Sequence, residues 1–157
     1  MKIAILAIGK TQTAYIRTGI DEYLRRLTHY VPTELIQLPA LRQTRGLSEV
    51  QQKQAEGQQL LAALQPGDFV TLLDERGLEF TSREFAGEID RRMSSGIKRL
   101  VFVIGGPYGF SDEVYARADS KLSLSRMTFS HEMVRLFFLE QIYRAMTILR
   151  GQPYHHD

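Results

Sequence analysis

The chain has 157 residues, 43% of them hydrophobic and 24% charged, with a formal net charge of +2. A chain of that length forms one domain spanning 1–157 and buries about two-thirds of its unfolded surface, and its composition excludes a fibre or a disordered tract. The absence of cysteine excludes a disulfide framework, a thiolate metal site and a cysteine nucleophile together, and it points to the cytoplasm.

The opening "KIAILAI", residues 2–8, is short, β-branched and apolar, and it predicts a buried strand. Gly9 and Lys10 follow too soon for a signal peptide, and no apolar stretch approaches the roughly 20 residues of a membrane span. Ile16, Ile20, Tyr23, Leu24 and Leu27 then recur at helical spacing with charged residues between them. "TELIQL" predicts a second, weaker strand, followed by an exposed polar loop through residues 40–49 and a helix over roughly 48–64.

"DFVTLLD", bounded by Pro66-Gly67 and Arg76-Gly77, predicts a third strand. Thr81 and Glu84 form a capping box ahead of Phe85, Ile89 and Met93, and Gly96 ends that helix. "RLVFVIG", the most apolar strand, runs directly into "GPYGF". A short helix near 111–118, a strand-like "KLSLS" and a long helix over 131–150 complete the chain. Strands of unbroken apolar character alternating with helices predict an α/β fold, a mainly parallel sheet with helices on both faces.

The last helix is apolar all round, with Met133, Val134, Leu136, Phe137, Phe138, Leu139 and Ile142 pointing in every direction. A small domain cannot cover such a helix alone, which predicts a homodimer. Arg135 and Arg144, nine residues apart, fall about 180° around the helix and serve different surroundings. For Arg144 the spacing allows an ion pair with Glu140 or contact with an anionic ligand, and leaves the choice open.

Gly105 and Gly106, at the carboxyl end of the fourth strand, suit a tight turn or the close approach of a ligand. The order of glycines is neither a dinucleotide fingerprint nor a phosphate loop. Ser123, Ser125, Thr128 and Ser130 bring hydroxyls to the next connection, where Ser130 is a good cap for the last helix. The closing "PYHHD" carries two histidines and an aspartate, but adjacent histidines without a spaced partner do not make a metal site.

In order and spacing, "FVIGGPYGF", "LSLSRMTFSHEMVRLFFLEQIYRAMTILRG" and "PYHHD" resemble the SPOUT-class ribosomal RNA large-subunit methyltransferase H family. The opening "MKIAILAIGK" is similar as well, so the resemblance spans the chain, weakest over residues 40–49. It implies a homodimer with a C-terminal trefoil knot. It also implies methylation of N3 of a pseudouridine in 23S rRNA on assembled ribosomes, with S-adenosylmethionine as methyl donor and no metal. The family's cofactor contacts fall on Leu73, Gly105, Gly106, Ser125, Arg126, Met127, Thr128, Phe129 and Ser130. Arg144, Tyr154 and His155 match positions used for RNA binding or catalysis, with Arg144 positioning charge and His155 a candidate base. A proline common in the family is replaced here by Ser130. Two alternatives remain at this stage: a SPOUT methyltransferase acting on tRNA, and a non-enzymatic ribosome-associated RNA-binding dimer.

Overall fold

Five strands and five helices alternate along the chain in a computed structural model that describes residues 1–157. They are β1 (Lys2–Ile8), α1 (Ala14–Leu27), β2 (Thr33–Leu38), α2 (Glu49–Ala63), β3 (Phe69–Leu78), α3 (Ser82–Ser94), β4 (Arg99–Ile104), α4 (Asp112–Arg117), β5 (Ser120–Leu122) and α5 (Met133–Leu149). The strands form one sheet in the order β2-β1-β4-β3-β5, and every pairing is parallel. All carboxyl ends therefore lie along one edge.

Alternate residues of each central strand feed two cores. Ile3 and Ile5 of β1 and Phe102 of β4 pack with α1, α3 and α5, while Ala4, Leu6, Val101 and Val103 pack with α2 and α4. Burial on both faces is why these strands read as unbroken apolar runs. Phe138 of α5 is wholly buried and sits 4.7 Å from the Phe102 ring and 6.0 Å from Phe85. The capping box predicted at Thr81 and Glu84 is present, and Ser48 makes another with Gln51 at the start of α2.

Two elements differ from the sequence expectation. β3 continues past Asp74 to Leu78, because Leu122 pairs with both Leu73 and Leu78 across an irregularity that lets the polar "DERG" bow outward. A Cβ on Gly77 would lie 2.6 Å from the backbone of Lys121 and Leu122, so only glycine admits this return. β5 stops at Leu122 rather than extending through "SLS", since the Ser123 hydroxyl turns back to donate to the Ser125 carbonyl at 3.2 Å.

The register decides where a site can form. Leu73 of β3 pairs with Ile104 of β4 and with Leu122 of β5, so the connections leaving all three strands start side by side.

Candidate active site

A cleft of about 1040 Å³ opens at this shared strand edge. Leu73, Gly105 and Gly106 line it from β3 and β4, and Ser125, Met127, Thr128, Phe129 and Ser130 line it from the connection between β5 and α5. Arg126 alone of the nine cofactor candidates stands outside the lining; its side chain is 89% exposed and lies 3.8 Å from Glu79. The connection is held by its own hydroxyls: Met127 N–H donates to Ser125 Oγ at 2.9 Å, and Met133 N–H donates to Ser130 Oγ at 3.0 Å. Ser130 is not the N-cap expected of it: the helix begins at Met133 with Glu132 in the cap position and no side-chain cap, and the Ser130 hydroxyl serves the turn that leads into α5.

The glycine turn has an internal cause besides ligand approach. A Cβ on Gly105 would meet the Phe110 ring at 3.1 Å, and one on Gly106 would lie 2.2 Å from Glu56 Oε2. Glu56, from α2, is buried in the cleft wall behind Gly106, and its Oε1 has no hydrogen-bond partner. Burial pushes this carboxyl up, with the Gln52 side chain pulling the other way. Sequence reasoning passed over Glu56. The signal that could have found it is its place one helical turn before Leu60, on the face of α2 that covers the sheet.

Asp74, in the same wall, behaves differently. Burial raises its carboxyl, but the Tyr115 hydroxyl and the Arg76 backbone N–H donate to it and bring it below the usual range. Tyr115 is in turn pushed up to about 12 by burial and by Asp74. Arg135, 1% exposed, sends its guanidinium under the cleft to the Ile8 carbonyl at 2.9 Å, the Gly9 carbonyl at 2.8 Å and Thr11 Oγ1 at 3.0 Å. It ties α5 to the end of β1, a role unlike that of Arg144 on the opposite side of the helix.

Arg144, Tyr154 and His155 come together at the far end of α5. Arg144 Nη2 donates to Glu140 Oε1 at 2.6 Å, its guanidinium lies 4.9 Å from the Tyr154 ring centre, and Nη1 reaches His155 Nδ1 at 3.1 Å. Of the alternatives left open for Arg144, the ion pair with Glu140 is formed, and the guanidinium also faces the tail. Tyr154 OH donates to Glu140 Oε1 at 2.9 Å, and its ring packs edge-on against Tyr143. Burial, then contact with Tyr23 and Glu140, raises the Tyr154 hydroxyl, so it remains protonated.

His155 Nε2 meets Asp157 Oδ1 at 2.9 Å, and Arg83 of α3 grips the same carboxylate, with Nη2 2.6 Å from Oδ2. Arg144 can only donate, so Nδ1 of His155 accepts and the imidazole proton sits on Nε2, facing Asp157. His156 is exposed. The tail is thereby docked on α3 and α5 rather than frayed.

The two clusters do not meet within one chain, for none of Arg144, Tyr154 and His155 lines the cleft. Glu140 and Gln141 stand between them on this face of α5, and a short exposed apolar strip lies only at the cleft end. Phe137, 43% exposed, packs 5.6 Å from the Phe129 ring, and Met127, from the same cleft-lining connection as Phe129, is 79% exposed. Phe137 and Arg144 are seven residues apart, within about 20° of one face of α5.

The chain matches the family described as a predicted SPOUT methyltransferase over residues 1–155. It is 56% identical over 157 residues to a ribosomal RNA large subunit methyltransferase H of Parabacteroides distasonis, covering 100% of both chains. A protein of the same name from Christiangramia forsetii is 56% identical over 156 residues, 99% of each chain, and one from Porphyromonas gingivalis is 53% identical over 157 residues, 100% of each. Strand-end cleft, serine-rich connection and docked tail all fall within this end-to-end likeness, and the chain belongs to the SPOUT methyltransferases, in the ribosomal RNA large subunit methyltransferase H family.

Proposed function

We propose that the protein methylates N3 of a pseudouridine in 23S rRNA of the assembled ribosome, taking the methyl from S-adenosylmethionine and working as a cytoplasmic homodimer. The observation that carries this reading is the division into two clusters: a ligand-sized cleft at the strand edge, and a cationic, aromatic tail too far along α5 to line it. A partner packed on the Phe137 strip would bring its Arg144 face to this chain's cleft, so that each site is built from two subunits. The trefoil knot is implied by membership of the family.

The cleft suits the donor chemically. Its volume matches that of small-molecule sites, roughly 300–1,000 Å³, and its wall combines apolar Leu73, Ile104 and Leu122 with the hydroxyls of Ser125, Thr128 and Ser130. A buried carboxylate oxygen without a partner waits in the same wall. When bound, S-adenosylmethionine supplies an electrophilic sulfonium methyl that requires no metal.

The chain's own task is the nucleophile. An imide N3–H must lose its proton as nitrogen attacks, which calls for orientation and a proton acceptor. Tyr154 offers a ring for stacking on the base. Arg144 stabilises the negative charge that develops on the imide. His155 presents Nδ1 as the acceptor once Arg144 turns from it onto the nucleotide, with Asp157 holding the ring through Nε2. Arg126, outside the cleft and held only by a long, exposed ion pair to Glu79, can turn to rRNA phosphates.

Isotope-labelled S-adenosylmethionine offered to unmethylated 70S ribosomes and to tRNA tests the reading, with nucleosides identified by mass spectrometry. Label in N3-methylpseudouridine of 23S rRNA supports it. Label in tRNA replaces the substrate, and no label with intact rRNA binding leaves a non-enzymatic dimer.

A further inference from the structure

No cation of the chain pairs with Glu56. It is 5% exposed, its Oε1 is buried without a partner, and the Gly106 backbone crowds its other oxygen so closely that no Cβ fits between them. Buried carboxylates are ordinarily paired with a cation or saturated with donors. The buried cation of the same cleft, Arg135, directs its guanidinium elsewhere, to Ile8, Gly9, Thr11 and Gln37. Tyr115, the nearby phenol, donates to Asp74 instead. Apart from the Gln52 side chain, nothing in the chain steadies this carboxyl, and its Oε1 stays unpartnered in the wall of a cleft large enough for a nucleoside ligand.

A neutral N–H from an adenine amine would satisfy the orphaned lone pair and still leave a buried negative charge. A cation would cancel the charge as well. We propose that Glu56 recognises the positive charge of the methyl donor's methionyl part, carried by its α-ammonium or its sulfonium. The proposal rests on the reading of the cleft as the donor pocket. Gly106 is then glycine because its missing side chain leaves room for that carboxylate.

Calorimetric titration of wild type and Glu56→Gln with three probes tests it. S-adenosylmethionine carries both charges, S-adenosylhomocysteine only the ammonium, and 5′-methylthioadenosine neither. Glu56→Gln should weaken S-adenosylmethionine by about tenfold or more, as for loss of a charge-assisted hydrogen bond, and leave 5′-methylthioadenosine unchanged, which also certifies the fold. Equal weakening of S-adenosylhomocysteine assigns the ammonium; weakening of S-adenosylmethionine alone assigns the sulfonium. Glu56→Asp, which retains the charge but withdraws it by one methylene, should fall between. An equal loss for all three probes, or none, overturns the role of Glu56. Wild type that binds none of them overturns the donor pocket itself.

Discussion

Replacing Gly106 with alanine adds one methyl whose position is fixed by the backbone. That Cβ would lie 2.8 Å from Glu56 Cδ and Oε1 and only 2.2 Å from Oε2, the last more than 1 Å inside the 3.4 Å at which ordinary contact begins. Gly106 has no positive φ, so the substitution brings steric crowding without backbone strain. The carboxylate is the end of a flexible side chain, but burial leaves it little room to retreat. Overpacking of this kind costs about 1–3 kcal/mol, and for a chain of this size each kcal/mol lowers Tm by roughly 2–4 °C. Shortening the neighbour removes the collision, so in a Glu56→Ala background the same Gly106→Ala change should cost less than about 0.5 kcal/mol. Urea unfolding of the four proteins, ligand-free and at one concentration, closes the cycle. An equal cost of Gly106→Ala in both backgrounds would refute the idea that Glu56 dictates glycine at this position.

Because burial raises the Glu56 carboxyl, its ionisation opposes folding: the penalty is absent below the unfolded carboxyl pKa and complete above the folded one. Glu56→Gln should therefore stabilise the ligand-free protein at pH 7 by about 1 kcal/mol, and the gain should vanish near pH 4 in thermal melts; a gain that grows toward acid would contradict this sign. Phe137→Asp, on the exposed strip, should shift sedimentation toward monomer by placing charge in an apolar contact, whereas unchanged dimer would move the interface elsewhere. Deleting residues 153–157 should leave donor affinity within about twofold while methyl transfer to ribosomes falls steeply. Full activity in the truncated protein would remove the tail from the site. In His155→Ala, if Nδ1 is the proton acceptor, raising pH should partly restore the rate as the imide ionises unaided; a loss of rRNA affinity equal at every pH would leave His155 a positioning residue.

The strands that were easiest to read are those buried on both faces, since a parallel sheet covered by helices demands unbroken apolar runs such as "RLVFVI". The far half of β3 was hidden because its pairing depends on a bulge and on Gly77 meeting the backbone of Leu122, neither of which has a periodic signature. Helical geometry separated Arg135 from Arg144 correctly, but it could not say that one would be buried against β1 and the other held between Glu140 and His155. All-round apolar character predicted that one domain could not cover α5 alone, yet the fold covers most of it, burying Phe138, Leu139, Ile142, Ala145 and Met146. What it leaves outside are Phe137 and, at the end of the helix, Leu149. Glu56 remained silent because an acidic residue on a polar helix looks solvated until the sheet beneath it is in place.

The most direct measurement of the central claim is nucleoside mass spectrometry of 23S rRNA after unmethylated 70S ribosomes are incubated with the purified protein and labelled S-adenosylmethionine. The run is made with wild type, with Arg144→Ala, with Gly106→Val, and with a mixture of those two variants. If each site joins one chain's cleft to its partner's tail, both single variants should be nearly inactive, and the mixture should recover up to roughly a quarter of wild-type activity through mixed dimers holding one intact site. A mixture as inactive as its components, with subunit exchange verified, would contradict a site shared between chains.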